Sequence, residues 1–132
     1  MVQQFQDFLS QMNVEKLNVE NNKENNTTTI DFQYEGLSYL FVYDNDDTNY
    51  FRLMLPNITQ IDDVNRDKVL NAINYINYKL KVVKAIIIDN VSVWLSAEQF
   101  TPTSKVNMDT IFYRFLVLLK IAIEEYRSKL KD

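Results

Sequence analysis

The chain has 132 residues, 46% apolar and 24% charged, with 14 basic side chains against 18 acidic ones for a net charge of −4. It holds no cysteine, no histidine and a single glycine, which excludes disulfides, thiol and imidazole catalysis, ordinary zinc sites and glycine-rich phosphate loops. The acidic balance argues against nucleic acid as a partner, and the length suffices for one domain, residues 1–132, with its own core.

Val2, Phe5, Phe8 (or Leu9) and Met12 recur at helical spacing and predict a short opening amphipathic helix. Residues 18–26 are polar and rich in asparagine and read as an exposed connector. Thr28, Ile30, Phe32 and Tyr34 alternate with Thr29, Asp31 and Gln33, the signature of a strand with one buried face. Glu35-Gly36 makes the turn, and the glycine accepts a positive φ at no steric cost. The next strand, 37–43, is apolar on both sides: Leu37, Tyr39, Phe41 and Tyr43 on one, Leu40 and Val42 on the other. Such a strand is central in the fold or covers an interface. After the polar loop 44–49, a third strand over 50–55 stops at Pro56.

Asp62 or Asp63 caps a second helix over 64–80, with Val69, Ile73, Ile76 and Leu80 as its core stripe. Lys79, Lys81 and Lys84 gather near its end, where positive charge is favourable. Residues 82–88 and 91–100 form a hairpin turning at Asp89-Asn90 and ending at Pro102. Asn107 or Asp109 caps a final helix that reaches Leu130. The order α-β-β-β-α-β-β-α, with short turns between consecutive strands, predicts a two-layer α+β domain: an antiparallel five-stranded sheet with the helices on one face.

Two acidic constellations are the candidates for chemistry. The loop Asp44-Asn45-Asp46-Asp47 fails the EF-hand template, because its sixth and twelfth positions hold Asn49 and Leu55. Asp31, Asp89, Glu98, Glu124 and Glu125 fall at turns or on solvent faces, not as a pair in a pocket. No catalytic residue, metal ligand or cofactor is assigned, and the chain is expected not to be an enzyme.

Three surfaces remain as candidates for binding. The final helix carries a second apolar row, Tyr113, Val117 and Ile121, besides its core stripe. Either the helix is covered on both sides within the monomer, or the row meets another chain and serves self-association. The second helix presents Asn71, Asn74, Tyr75 and Tyr78 away from its core stripe, and tyrosine is enriched at interfaces. Trp94, the single tryptophan, alternates against Val93 and Leu95. It lies with Leu40 and Val42 on a sheet face turned away from the helices, as a partner-binding patch, or the faces are reversed and it is core.

The element order and several strings resemble YbjN-type proteins and, more broadly, the fold of type III secretion chaperones. The strings are Phe32-Gln33-Tyr34-Glu35-Gly36-Leu37, Tyr50-Phe51-Arg52-Leu53-Met54-Leu55-Pro56, Asn74-Tyr75-Ile76-Asn77 and Val83-Lys84-Ala85, with the acidic loop before Tyr50. The resemblance implies a helix–three strands–helix–two strands–helix fold that commonly dimerises. It also implies a chaperone-like hold on extended segments of a partner protein without ATP, and it brings no catalytic residue set. A small-ligand-binding sensory domain is the alternative, and would need an enclosed apolar pocket lined by Tyr34, Phe41 or Trp94. The amino terminus lacks the basic start and apolar run of a signal peptide, and the most apolar stretch, 111–123, is broken by Arg114 and Lys120 and falls short of the ~20 residues that cross a bilayer. A cytoplasmic location is expected, without membrane or nucleic-acid partners.

Overall fold

The computed structural model describes residues 1–101 and 107–131, so Pro102 lies outside the described residues. The elements in chain order are α1 (Val2–Ser10), β1 (Glu15–Asn22), β2 (Thr27–Tyr34), β3 (Leu37–Asp44), β4 (Tyr50–Gln60), α2 (Arg66–Lys79), β5 (Val83–Ile88), β6 (Ser92–Phe100) and α3 (Met108–Leu130). The fold is α+β: three helices on an open antiparallel sheet of strand order β1-β2-β3-β4-β6-β5.

The sheet has six strands, not five, and the order is α-β-β-β-β-α-β-β-α. The additional strand, β1, occupies most of the segment that composition marks as a connector. Seven of its eight residues are exposed, so no buried face stamps a period-two pattern on the sequence. Backbone pairing to β2 holds it, from Asn18 opposite Asp31 to Asn22 opposite Thr27, with a register shift between Glu15 and Asn18.

β4 also runs further than expected. Pro56 does not stop it, because the register with β6 breaks between Leu55 and Thr59. A proline without an N–H is tolerated at such an irregularity, and Asn57 takes up the bend with φ 52°. The β2–β3 turn is as expected, with Tyr34 paired to Leu37 and both Glu35 (φ 50°) and Gly36 (φ 80°) left-handed. That is the two-residue hairpin geometry whose twist matches its strands. Asp62 caps a turn and not a helix: its carboxylate accepts the N–H groups of Val64 and Asn65, and Asn65 is the residue that precedes α2. At α3, Asn107 does cap, accepting the Asp109 N–H at 3.0 Å.

The core lies between the helices and one sheet face. Phe5 of α1 stacks on Phe41 of β3 at 4.2 Å, and Phe112 of α3 meets Phe5, Phe41 and Phe51 edge-on. Val69, Ala72 and Ile76 of α2 join the same cluster, beside Val83 and Ala85 of β5. Each large aliphatic or aromatic side chain of this cluster withdrawn from water contributes roughly 1.5–3 kcal/mol before entropy is counted. One phenol is buried without reward: the Tyr126 hydroxyl sits beside Thr59 and closes no hydrogen bond of good geometry, and its burial raises its pKa.

Candidate functional site

Strand pairing aligns the other face of the sheet into rows. One row runs Asp31, Leu40, Met54, Ser96, Lys84, and its neighbour runs Thr29, Val42, Arg52, Glu98. Trp94 stands beside Ile86 on this face, while its chain neighbours Val93 and Leu95 are in the core. Trp94 is therefore not a core residue: it shares the helix-free face with Leu40 and Val42. All three are half-buried, and none belongs to the helix-side cluster. Among the described residues no helix covers them.

Apolar side chains occupy the middle of this face, with polar ones around them. Met54 at its centre is 4% exposed, yet stands apart from the helix-side core. The Trp94 indole N–H is shared between Asn57 Oδ1 and Ser92 Oγ, each at 3.1 Å, which fixes the ring plane. Beside it lies a shallow hollow of about 360 Å³, lined among others by Lys16, Asp31, Leu40, Pro56, Asn57 and Trp94. The Ser96 hydroxyl, next to Met54, is buried without a hydrogen-bond partner. Toward one end the face turns polar: Arg52 lies 3.6 Å from Glu98, donates to the Tyr50 hydroxyl at 3.0 Å, and Tyr50 packs edge-on against Phe100. Met54 and Ile86 were missed in the sequence. The signal was there, since Met54 alternates with Leu53 and Leu55 as Trp94 does with Val93 and Leu95.

The two edges of the sheet differ. Backbone direction alternates along a strand, and the Tyr34–Leu37 hairpin fixes the phase across the whole sheet. Ala85 then points its N–H and C=O away from β6, and both are taken by the Asn77 side chain of α2, at 2.7 and 3.1 Å. Lys84 curls over the same edge and donates to the carbonyls of Asn77 and Leu80, using the favourable charge at a helix C-terminus. The β5 edge is thus closed against strand addition. On β1 the same alternation turns Val19 and Asn21 outward, but charged side chains and the Glu15/Asn18 shift blunt that edge.

The second apolar row of α3 is exposed, with Tyr113 at 52%, Val117 at 39% and Ile121 at 42%. Among the described residues, nothing within the chain covers it. Lys120, beside the row, donates to Glu35 of the β2–β3 turn at 2.9 Å. That bond holds the Glu35 carboxyl below its ordinary pKa and the Lys120 ammonium above its own. The tyrosines of α2 part company. Tyr78 is 88% exposed. Tyr75 is occupied within the chain: its hydroxyl reaches Glu125 at 3.4 Å and the Lys129 ammonium lies 4.4 Å above its ring. It is a helix–helix contact and not a free binding residue.

Tyr34, Phe41 and Trp94 line no common cavity, since Phe41 is sealed in the core while Trp94 is on the opposite face. The carboxylates of the acidic loop serve the turn: Asp44 accepts the Asp46 N–H and Asp46 accepts the Asn26 amide. Among the described residues no helix is long and apolar enough to cross a membrane. No protein-family model matches this chain, and no curated protein is significantly similar to it in sequence.

Proposed function

We propose that the chain is a non-enzymatic protein-binding domain, chaperone-like or adaptor in character, that acts as a cytoplasmic homodimer and holds an apolar or extended segment of a partner protein. The helix-free sheet face carries this reading: Leu40, Val42, Ile86 and Trp94 are half-buried around the buried Met54 with no helix of the described chain over them, and an apolar patch left open to solvent marks an interaction site. Because Asn77 and Lys84 close the β5 edge, the partner segment lies across the face and does not extend the sheet at β5. Tyr113, Val117 and Ile121 serve self-association, which leaves the sheet face free for the partner. The resemblance to secretion chaperones implies a dimer and a hold on extended segments, which supports this reading.

The test is capture from the native host lysate by the tagged chain and by a variant carrying Leu40→Lys with Val42→Lys. The expected outcome is one protein retained near stoichiometry through high salt by the wild type and lost by the variant, with unchanged circular dichroism. Equal retention by the folded variant, or no retained protein with the wild type, contradicts the proposal.

A further inference from the structure

α2 covers only one end of the flank it shares with α3. Tyr75 meets Glu125 and Lys129 there, and α2 ends one turn later at Lys79. A short link, 80–82, then leads into β5. Nearer the start of α3 the same flank carries Ile111, Arg114, Phe115 and Leu118. With Val82 and Gln99 they line a hollow of about 260 Å³ between α3 and the adjoining ends of β5 and β6.

Val82 is held in a conformation that valine seldom adopts. Its φ is 71°, and the Val83 N–H donates back to the Lys81 carbonyl at 2.7 Å. Such a bond about a positive φ makes the rare, strained form of the three-residue turn. At its other left-handed positions the described chain places Lys, Asn, Glu, Asp or Gly, and Val82 is the β-branched exception. Core packing does not require it, since the side chain is 44% exposed. What the valine supplies is a wall of the hollow, and strain of this kind gathers at ligand clamps.

The lining defines the chemistry of a ligand. Val82, Ile111, Phe115 and Leu118 are apolar and suit a hydrocarbon body. Arg114 is the one charged residue of the lining and has no ion-pair partner among the described residues. A guanidinium fork matches a carboxylate with two parallel N–H donors, and the Gln99 amide carries further ones. One cation balances a monoanion, which favours a carboxylate over a phosphate ester. At ~30 Å³ per water-sized group the hollow holds roughly nine, which suits a monocarboxylate of about seven or eight carbons.

We infer that this hollow binds a free monocarboxylate with a short hydrocarbon body, Arg114 holding the carboxylate and Val82, Ile111, Phe115 and Leu118 the chain. The hollow lies on the helix side of the sheet, away from the face that carries Trp94, so the inference stands apart from the protein-binding reading.

The test is a two-dimensional amide NMR titration of the full chain with sodium octanoate, and with octan-1-ol as the uncharged probe. Octanoate should produce saturable shifts centred on Val82, Gln99 and residues 111–118, with the Trp94 indole N–H unmoved. Octan-1-ol on the wild type, and octanoate on Arg114→Gln, should each bind about tenfold more weakly or worse. Lys120→Gln, on the same helix but outside the hollow, should stay within about twofold of the wild type. Val82→Gly accepts the left-handed backbone, so it should keep the melting temperature while weakening octanoate about threefold or more. Shifts that do not saturate or that centre on Trp94, or equal binding by octan-1-ol, by Arg114→Gln or by Val82→Gly, would overturn the inference.

Discussion

One sheet presents two apolar faces, and they meet different fates. On the helix side Phe41, Leu53 and Leu95 are sealed beneath α1, α2 and α3 in one cluster. On the far side Leu40 pairs with Met54, Trp94 pairs with Ile86 beside the β4 irregularity, and no helix of the described chain lies over them. The first face is demanded by folding. The second is not, because a two-layer domain reaches its stability from the covered side alone. In the proposed function these apolar residues, steadied by the Trp94 hydrogen bonds, are the surface that meets the partner segment.

The difference can be broken most severely on the sealed side. Phe41→Ala removes a ring that contacts Phe5, Phe51 and Phe112. It should cost about 3–5 kcal/mol, read as a fall in the denaturant midpoint. Its neighbour in sequence should behave otherwise: Leu40→Ser should cost less than about 1 kcal/mol and leave the fold intact while weakening partner capture. A loss for Leu40→Ser equal to that for Phe41→Ala would make the two faces energetically alike and remove the contrast.

An intermediate effect is expected at the β5 edge. Asn77→Ala strips the cover from the Ala85 N–H and C=O and should cost about 1 kcal/mol. It should also expose a pairing edge, seen as concentration-dependent aggregation in light scattering. A variant that stays monodisperse apart from the dimer would show that Lys84 alone guards the edge.

The smallest effect concerns pH. Burial raises the pKa of Tyr39 and Tyr126 above that of a free phenol, with Glu35 adding to the shift at Tyr39. A raised folded pKa means that stability is full below the unfolded phenol value of about 10 and is lost as pH rises beyond it. With no histidine in the chain, stability should be nearly flat between about pH 6 and 8, decline in alkali through these phenols, and fall slightly in acid as Glu35, held below its ordinary pKa by Lys120, is protonated. Ultraviolet titration should show late-titrating tyrosines whose ionisation coincides with unfolding.

What the sequence made legible follows from burial. Alternation in β2 and β3, the Glu35-Gly36 turn, the Asn107 cap and the two rows of α3 could all be read, because each ties a residue type to one environment. β1 could not, since an edge strand exposed on both faces has backbone pairing and no side-chain pattern. Pro56 was misleading because its exclusion from strands lapses where the register shifts. Tyr75 read as a surface residue because helical spacing gives its side of α2, while the position of α3 beside that side is a tertiary fact. The open face was half legible: Leu40, Val42 and Trp94 fell out of alternation, but their company with Met54 and Ile86 depends on which strands are neighbours.

The most direct measurement uses Trp94, the single tryptophan, as a reporter on the open face. Acrylamide quenching of its fluorescence should be unchanged as protein concentration rises through the dimer equilibrium, because α3 pairing leaves the sheet untouched. It should fall when the captured partner binds. Quenching that falls with self-association alone would mean that two copies close their sheet faces on each other, and would contradict the account.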